Sequence, residues 1–232
     1  MGNRTIGVLG GMGPDATVDF MSKVISLTPA DKDQDHIHML VDHNPGVPNR
    51  QASILGDGED PGPELAAMAA RLEAAGADYL VIPCNTAYVF KDAVVAASSV
   101  PLISIIDVTV ADAVAKGAQA VGVLATDGCL AAGVYQDALQ EAGVRAVLPT
   151  DDEVAQFMTL CHRIKAGYQG ERVARDMAQL AEALVNRGAD AVIAGCTEIP
   201  LVLKQSALEV PLISSTDVLA EATVALARGE QR

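Results

Sequence analysis

Short apolar runs alternate along this chain with longer segments in which apolar residues recur every three or four positions. The runs predict buried strands, and the longer segments predict amphipathic helices that each bury one face. Strands are expected at 6–9, 36–41, 78–83, 100–106, 121–124 and 192–195, and helices at 15–26, 64–76, 91–98, 107–117, 154–164, 175–186 and 217–227. This alternation indicates an α/β protein with parallel sheets and right-handed crossovers.

The pattern occurs twice in the chain. The matching segments are 76–84 with 188–196, 100–104 with 210–214, and 6–9 with 121–124. Their separation of about 110 to 115 residues indicates two similar domains, because a period of about 20–50 residues would indicate a solenoid instead. We place the first α/β domain at 1–108 plus 217–232 and the second at 109–216. The active site is expected in the cleft between the two domains.

The net charge of −14 restricts the partners, because it repels nucleic acid and anionic membranes. Tryptophan is absent and only 3% of the residues are aromatic, so stacking platforms for bases are lacking. Apolar runs fall short of the roughly 18 residues of a membrane helix, and the N-terminus has no signal-peptide pattern. We therefore expect a cytoplasmic protein that binds a small molecule, without nucleic-acid or membrane partners.

The cysteines and histidines show no metal-binding spacing. The four cysteines, Cys84, Cys129, Cys161 and Cys196, contain no CxxC pair, and the four histidines form no HExxH motif. We therefore predict neither a metal site nor a disulfide framework. Cys129 and Cys161 have no counterpart in the other half of the chain, and we interpret them as structural.

Cys84 and Cys196 each follow an apolar run and precede two polar residues. Ligands of parallel sheets bind at the carboxyl ends of the strands, where both cysteines are expected. Free amides at the start of a helix can lower a thiol pKa from about 8.5 and populate the thiolate. A Cys–His dyad is disfavoured, because no histidine recurs beside the two cysteines. Two matched thiols suit inversion of a carbon stereocentre, in which one removes the Cα proton and the other returns one.

Several positions are candidates for holding a substrate carboxylate. Asn85, Thr86 and Thr197, with the adjacent amides, lie next to the cysteines. Residues 11–16 match the G-x-G-x-x-A dinucleotide fingerprint, but Pro14 within the turn favours a strand-to-helix turn whose amides bind a small anion. Arg50 is the only full positive charge of the predicted loop 42–50, and its planar fork suits bidentate carboxylate binding. Lys165, at the end of a predicted helix, is a second cation.

Five motifs together span nearly the whole chain. They are Gly10-Gly11-Met12-Gly13-Pro14, Asn44-Pro45 with Pro48 and Arg50, Pro83-Cys84-Asn85-Thr86-Ala87, Ala125-Thr126-Asp127-Gly128, and Gly195-Cys196-Thr197-Glu198-Ile199-Pro200-Leu201. With them the chain resembles the pyridoxal-phosphate-independent aspartate/glutamate racemase family, most closely its aspartate racemase branch.

The resemblance implies a cofactor-free, two-base racemase of aspartate, glutamate or a related acidic amino acid. Its catalytic residues would be Cys84 and Cys196, and the family's substrate-binding arginine and lysine would be Arg50 and Lys165. The remaining substrate-binding residues expected from the resemblance lie in the matching motifs: Met12, Gly13, Asn44, Asn85, Thr86, Thr126, Thr197 and Glu198. A homodimer is common among proteins of this kind.

The chain departs from the family at Tyr88, which stands where a histidine usually follows Pro-Cys-Asn-Thr-Ala. Tyrosine is uncharged near pH 7, so a larger or less acidic substrate also fits the motif. The same scaffold would suit a superfamily enzyme that isomerises maleate, racemises hydantoins or decarboxylates arylmalonates. A non-catalytic protein that binds acidic amino acids is a further alternative. The glycine turn alone would support a nucleotide-dependent dehydrogenase.

Overall fold

The computed structural model describes residues 4–230, so the first three and last two residues of the predicted first domain lie outside the described part. The strands are β1 (Ile6–Gly10), β2 (Met39–His43), β3 (Tyr79–Val81), β4 (Leu102–Ile103), β5 (Ala120–Ala125), β6 (Arg145–Val147), β7 (Ala191–Gly195) and β8 (Leu212–Ser214). The α-helices are α1 (Pro14–Leu27), α2 (Arg50–Leu55), α3 (Gly62–Ala74), α4 (Lys91–Ala97), α5 (Ile105–Ala115), α6 (Asp127–Ala131), α7 (Val134–Glu141), α8 (Asp151–Lys165), α9 (Glu171–Asn186), α10 (Ile199–Val202) and α11 (Ser215–Ala227). Short 3-10 helices lie at Asp33–Asp35, Thr86–Phe90 and Gln205–Ala207.

The strands form two four-stranded sheets with the same topology. One has the order β2-β1-β3-β4 and the other β6-β5-β7-β8, and every strand pair in both sheets is parallel. The central strands β1, β5 and β7 are buried along their whole length, as expected where helices cover both faces of a parallel sheet. The α/β fold class and its duplication are confirmed.

Two aspartates repeat the same contact in the two sheets. The Asp78 carboxylate accepts a hydrogen bond from the backbone N–H of Thr5 at 2.7 Å, and that of Asp190 accepts one from Gln119 at 2.9 Å. Each aspartate thereby ties the start of one strand to the start of its neighbour. The duplication therefore extends to individual side-chain contacts.

Two glycines in the central strands allow the helices to pack closely on the sheets. A Cβ on Gly7 would lie 3.1 Å from the Cβ of Leu72 in α3, and one on Gly122 would lie 2.8 Å from that of Leu184 in α9. A larger residue at Gly7 would push α3 away from its sheet, and one at Gly122 would do the same to α9.

Some element boundaries differ from the prediction. The strand expected at 100–106 spans only Leu102–Ile103, and helix α5 begins at Ile105 rather than at Asp107. An apolar run does not by itself distinguish a strand from a buried helical turn. Arg50 was expected in a loop but is the first residue of α2, whose N-cap, Asn49, accepts hydrogen bonds from two backbone amides.

The described chain divides into two compact units. The first contains the residues up to Ile105 and those from Thr216 onward, and the second is Ile106–Ser215. Helix α11 contacts the first unit, where Asp217 pairs with Lys23 at 2.8 Å and the carbonyl of Ala227 accepts from the Arg4 amide. Within residues 4–230, helices of the length and apolarity needed to cross a bilayer are not found.

Candidate active site

Cys84 lies just beyond β3, in the short connection to the 3-10 helix Thr86–Phe90. Its side chain is 7% exposed and belongs to the hydrophobic cluster of the first unit that also contains Met12 and Ala87. Asn85 and Thr86 are both buried beside it. The structure therefore brings four of the predicted site residues of the first unit, Met12, Cys84, Asn85 and Thr86, to one end of the sheet.

Tyr88 occupies the middle of the same 3-10 helix and is buried. The Lys91 ammonium lies 5.3 Å from the centre of the Tyr88 ring, within the range of a cation–π interaction. The positive charge of Lys91, the first residue of α4, therefore lies close to the Tyr88 ring.

Hydrogen bonds within the first unit hold the glycine turn that follows β1. The N–H of Gly11 donates to Thr17 Oγ1 at 2.9 Å, and this hydroxyl donates to the Gly13 carbonyl at 3.0 Å. Gly11 has φ +93°, and a Cβ there would lie 2.4 Å from the carbonyl carbon of Asn44. Only glycine fits this conformation and approach. The turn and the Asn44 segment are therefore locked against each other.

Both the nitrogen and the oxygen of the Asn44 side-chain amide form hydrogen bonds. Its amide nitrogen donates to Glu64 Oε1 at 2.9 Å, and its oxygen accepts from the Gly46 amide at 2.9 Å. Arg71 also donates to Glu64 Oε1, at 3.1 Å. These contacts orient the loop that leads to Arg50, and sequence reasoning did not identify Glu64 or Arg71.

The Arg50 guanidinium is anchored to its own loop through one nitrogen. Nη1 donates to the carbonyls of Val47 and Pro48 at 3.0 and 2.9 Å. Within residues 4–230 the Arg50 guanidinium forms no ion pair, and its buried Nε has no hydrogen-bond partner. Arg50 is therefore a positioned cation whose charge is not neutralised by a described carboxylate.

In the second unit, Cys196 follows β7 and is 5% exposed. Its thiol donates a hydrogen bond to Glu198 Oε2 at 3.0 Å, and the Cys161 sulfur lies 3.9 Å from the Cys196 sulfur. Thr197 and Glu198 are buried as well. Cys196 thus has a carboxylate and a second thiol as direct neighbours.

These neighbours determine the protonation of Cys196. The hydrogen bond with Cys161, then burial, and then the negative charges of Cys161 and Glu198 raise the pKa of the Cys196 thiol well above its usual value. Lys165 acts in the opposite direction, as a cation stabilises a thiolate. The raising effects prevail, so Cys196 is a thiol at neutral pH.

Lys165 ends helix α8, and its ammonium lies 3.6 Å from Glu198 Oε1. Thr126, at the end of β5, caps α6 by accepting a hydrogen bond from the Cys129 amide at 3.2 Å. The structure therefore places Lys165 beside Glu198 and gives Thr126 a structural bond. Cys161 was interpreted as structural, and its contact with Cys196 was not anticipated. The signal available was its spacing from Lys165, because residues four apart share one face of a helix.

Comparison with known proteins shows the family to which the chain belongs. The Asp/Glu/hydantoin racemase family matches residues 9–223 of the chain. The broad specificity amino-acid racemase RacX of Bacillus subtilis is 31% identical over 223 residues, which cover 94% of this chain and 96% of RacX. The Picrophilus torridus aspartate racemase is 28% identical with a TM-score of 0.87, covering 97% of this chain and 94% of its own.

A glutamate racemase from Francisella tularensis, solved with D-glutamate, supports the fold alone, at 19% identity and a TM-score of 0.70 over 98% of this chain and 82% of its own. The fold is that of the amino-acid racemases, and the chain is an isomerase of this class. It belongs to the Asp/Glu/hydantoin racemase family.

Proposed function

We propose that this protein racemises an acidic amino acid, aspartate, glutamate or a close relative, without a cofactor, using Cys84 and Cys196 as the two bases. One observation carries the proposal: the two cysteines follow β3 and β7, which occupy equivalent positions in two sheets of the same order. Inversion at Cα needs a proton acceptor on one face of the carbon and a donor on the other. A duplicated scaffold can supply one thiol from each half for these two roles.

The hydrogen bond of Cys196 suggests how the proton transfers are ordered. Because Cys196 starts as a thiol, it acts first as the acid, and Cys84 takes the proton from Cα. The Cα–H proton then resides on Cys84, and the former Cys196 proton resides on the inverted carbon. The reverse direction requires a Cys196 thiolate, and Glu198 Oε2, 3.0 Å away, is positioned to accept the thiol proton.

The substrate's carboxylates require cations in a chain of net charge −14. Arg50 and Lys165 are the proposed partners, and a charge-assisted hydrogen bond to either contributes about 1.5–3 kcal/mol. Asn85, Thr86, Thr197 and the amides of Met12 and Gly13 are proposed to complete the carboxylate contacts. Asn44, Thr126 and Glu198 are proposed to line the same substrate site.

A broader substrate range is the second candidate. Tyr88 is uncharged and stands where the family's histidine is expected, and the similar protein from Bacillus subtilis is a racemase of broad specificity. A neutral or larger amino acid would then be accepted at the side-chain end while the Cα chemistry stayed the same.

The test is deuterium incorporation at Cα in D2O, without added cofactor, for both enantiomers of aspartate, glutamate and a panel of neutral amino acids. Chirality is followed in parallel by chromatography of derivatised samples. Cys84→Ala and Cys196→Ala should each abolish inversion, whereas Cys129→Ala, which alters a buried cysteine outside the proposed mechanism, should keep it. Absence of exchange with every amino acid tested would overturn the proposal, as would inversion at the wild-type rate in either cysteine variant.

A further inference from the structure

Cys161, Cys196 and Glu198 form a compact group that we call the thiol–carboxylate cluster. Their two sulfurs and a carboxylate oxygen all lie within 4.8 Å of one another, and all three residues are buried. Both cysteines are free thiols. Racemisation requires only one of the two sulfurs, so the second one needs a separate explanation.

The spacing of the two sulfurs is that of neighbouring ligands on one tetrahedral cation. With zinc–sulfur bonds of about 2.3 Å, two thiolates on a tetrahedron are about 3.8 Å apart. The observed separation between Cys161 and Cys196 is 3.9 Å. A disulfide would instead require the sulfurs to approach by about 1.9 Å, to a bond of about 2.05 Å. The sulfurs therefore need no rearrangement to share a metal ion.

The carboxylate supplies the third donor. Glu198 is 4% exposed, and its Oε1 accepts no hydrogen bond within residues 4–230, although the Lys165 ammonium lies 3.6 Å away. The other oxygen is 3.0 Å from the Cys196 sulfur, whereas oxygen and sulfur on one zinc ion are about 3.5 Å apart. A side-chain adjustment of about 0.5 Å would complete the three-ligand set.

We propose that the thiol–carboxylate cluster binds a thiophilic divalent cation such as Zn²⁺ through Cys161, Cys196 and Glu198. Three protein ligands leave a fourth position for water, as in open zinc sites. Binding releases both thiol protons to solvent, because thiolates are the coordinating forms. The positive charge of Lys165 opposes the cation and weakens its binding. A metal-bound Cys196 has no proton to donate, and coordination makes its sulfur a weaker base, so the bound ion inhibits racemisation.

The experiment uses the full-length protein after treatment with a chelator. Co²⁺ is titrated in as a spectroscopic probe, and Zn²⁺ is then added to displace it. The expected result is one equivalent of Co²⁺ per chain, with thiolate-to-cobalt charge-transfer absorption that Zn²⁺ removes. Cys161→Ser should weaken the affinity by about 100-fold or more, since loss of an outer-sphere partner alone costs about 10–100-fold.

Cys129→Ser is the matched control, because it removes another buried cysteine of the same unit that is not part of the cluster. It should retain the wild-type affinity. Cys161→Ala provides a second variant, and circular dichroism with thermal melting shows whether each protein is folded.

Three outcomes would overturn the proposal: no charge-transfer band in the wild type, wild-type affinity in folded Cys161 variants, or an equal loss of affinity in Cys129→Ser. Zn²⁺ should also lower the wild-type racemisation rate, and should do so far less in Cys161→Ser relative to that variant's own metal-free rate. Because metal binding is read without turnover, failure of the racemase proposal would leave this test intact.

Discussion

The Glu198→Gln substitution distinguishes two roles of the Glu198 carboxylate: accepting a proton, or only orienting the Cys196 thiol. In the wild type the Cys196 thiol donates to Glu198 Oε2 at 3.0 Å, and the other oxygen lies 3.6 Å from Lys165. Glutamine has nearly the same shape and can still accept a hydrogen bond through its amide oxygen. It cannot take the thiol proton, so the Cys196 thiol loses its nearest proton acceptor.

The expected loss can be bounded from this contact. Exchanging a hydrogen bond to a charged acceptor for one to a neutral acceptor costs about 1–1.5 kcal/mol, or about tenfold in rate. Loss of a proton acceptor costs about 10²–10⁴-fold. We therefore expect kcat/KM to fall by about 100-fold or more. The fall should be equal for the two enantiomers, because their free energies are equal in water.

A change in thiol acidity would not account for this loss. The hydrogen bond with Cys161 and burial are the main causes that raise the pKa of Cys196, and the Glu198 charge adds to them. Removing that charge lowers the pKa of Cys196 and makes its thiolate easier to form. If the Glu198→Gln enzyme is slower, the cause is therefore the loss of the group that accepts the Cys196 proton.

The assay compares inversion with Cα deuteration in D2O for each enantiomer separately. In the proposed mechanism Cys84 still removes and returns the proton of one enantiomer, so that enantiomer should incorporate deuterium without inverting. Glu182→Gln, which alters an exposed glutamate on α9, is the control and should behave as the wild type. A Glu198→Gln enzyme within about tenfold of the wild-type kcat/KM would refute the role as proton acceptor.

Three further substitutions test the scaffold and the specificity. Gly11→Ala should lose about 2–5 kcal/mol in urea unfolding, from left-handed φ and the clash with Asn44, whereas Gly56→Ala, at φ +92° with nothing within 4 Å, should lose only about 1–2 kcal/mol. Glu153→Gln should lose about 1 kcal/mol at pH 7, because it breaks the paired hydrogen bonds from Arg187. Those bonds lower the pKa of Glu153, so the difference should vanish as the pH falls below about 4 in the same unfolding assay. Tyr88→His should raise the kcat/KM of aspartate relative to a neutral amino acid by about tenfold, and an unchanged ratio in competition assays would contradict a role in specificity.

The duplicated sheets could be predicted because the information for them is local and occurs twice. The Gly-Ala-Asp segments before β3 and β7 recur at nearly the same offset as the strands themselves, and the structure gives Asp78 and Asp190 the same backbone contact. The start of helix α5 at Ile105 could not be predicted, since residues 100–106 are almost uniformly apolar and carry neither a strand nor a helix periodicity.

The residues of the candidate site could be predicted from the sequence more readily than the contacts between them. Motifs indicated Cys84, Cys196 and Glu198, but the contact of Cys196 with Cys161 joins residues 35 positions apart. The spacing of Cys161 from Lys165 places both residues on one face of α8, but it does not indicate that the cysteine meets another sulfur. The same holds for Thr17, whose hydroxyl bridges Gly11 and Gly13 only because the turn folds back over the start of α1.

The two halves share a scaffold but not the surroundings of their cysteines, and the proposed two-base reaction would use this difference. At equivalent positions, two residues after the cysteine, the first half has Thr86 and the second has Glu198. A two-base racemase begins each turnover with one base protonated and the other not. If both bases had the same environment, neither would be favoured as the protonated one. The carboxylate and Cys161 favour the protonated form of Cys196. We infer that the duplicated fold supplies two equivalent positions, and that these unequal neighbours make Cys196 the resting acid.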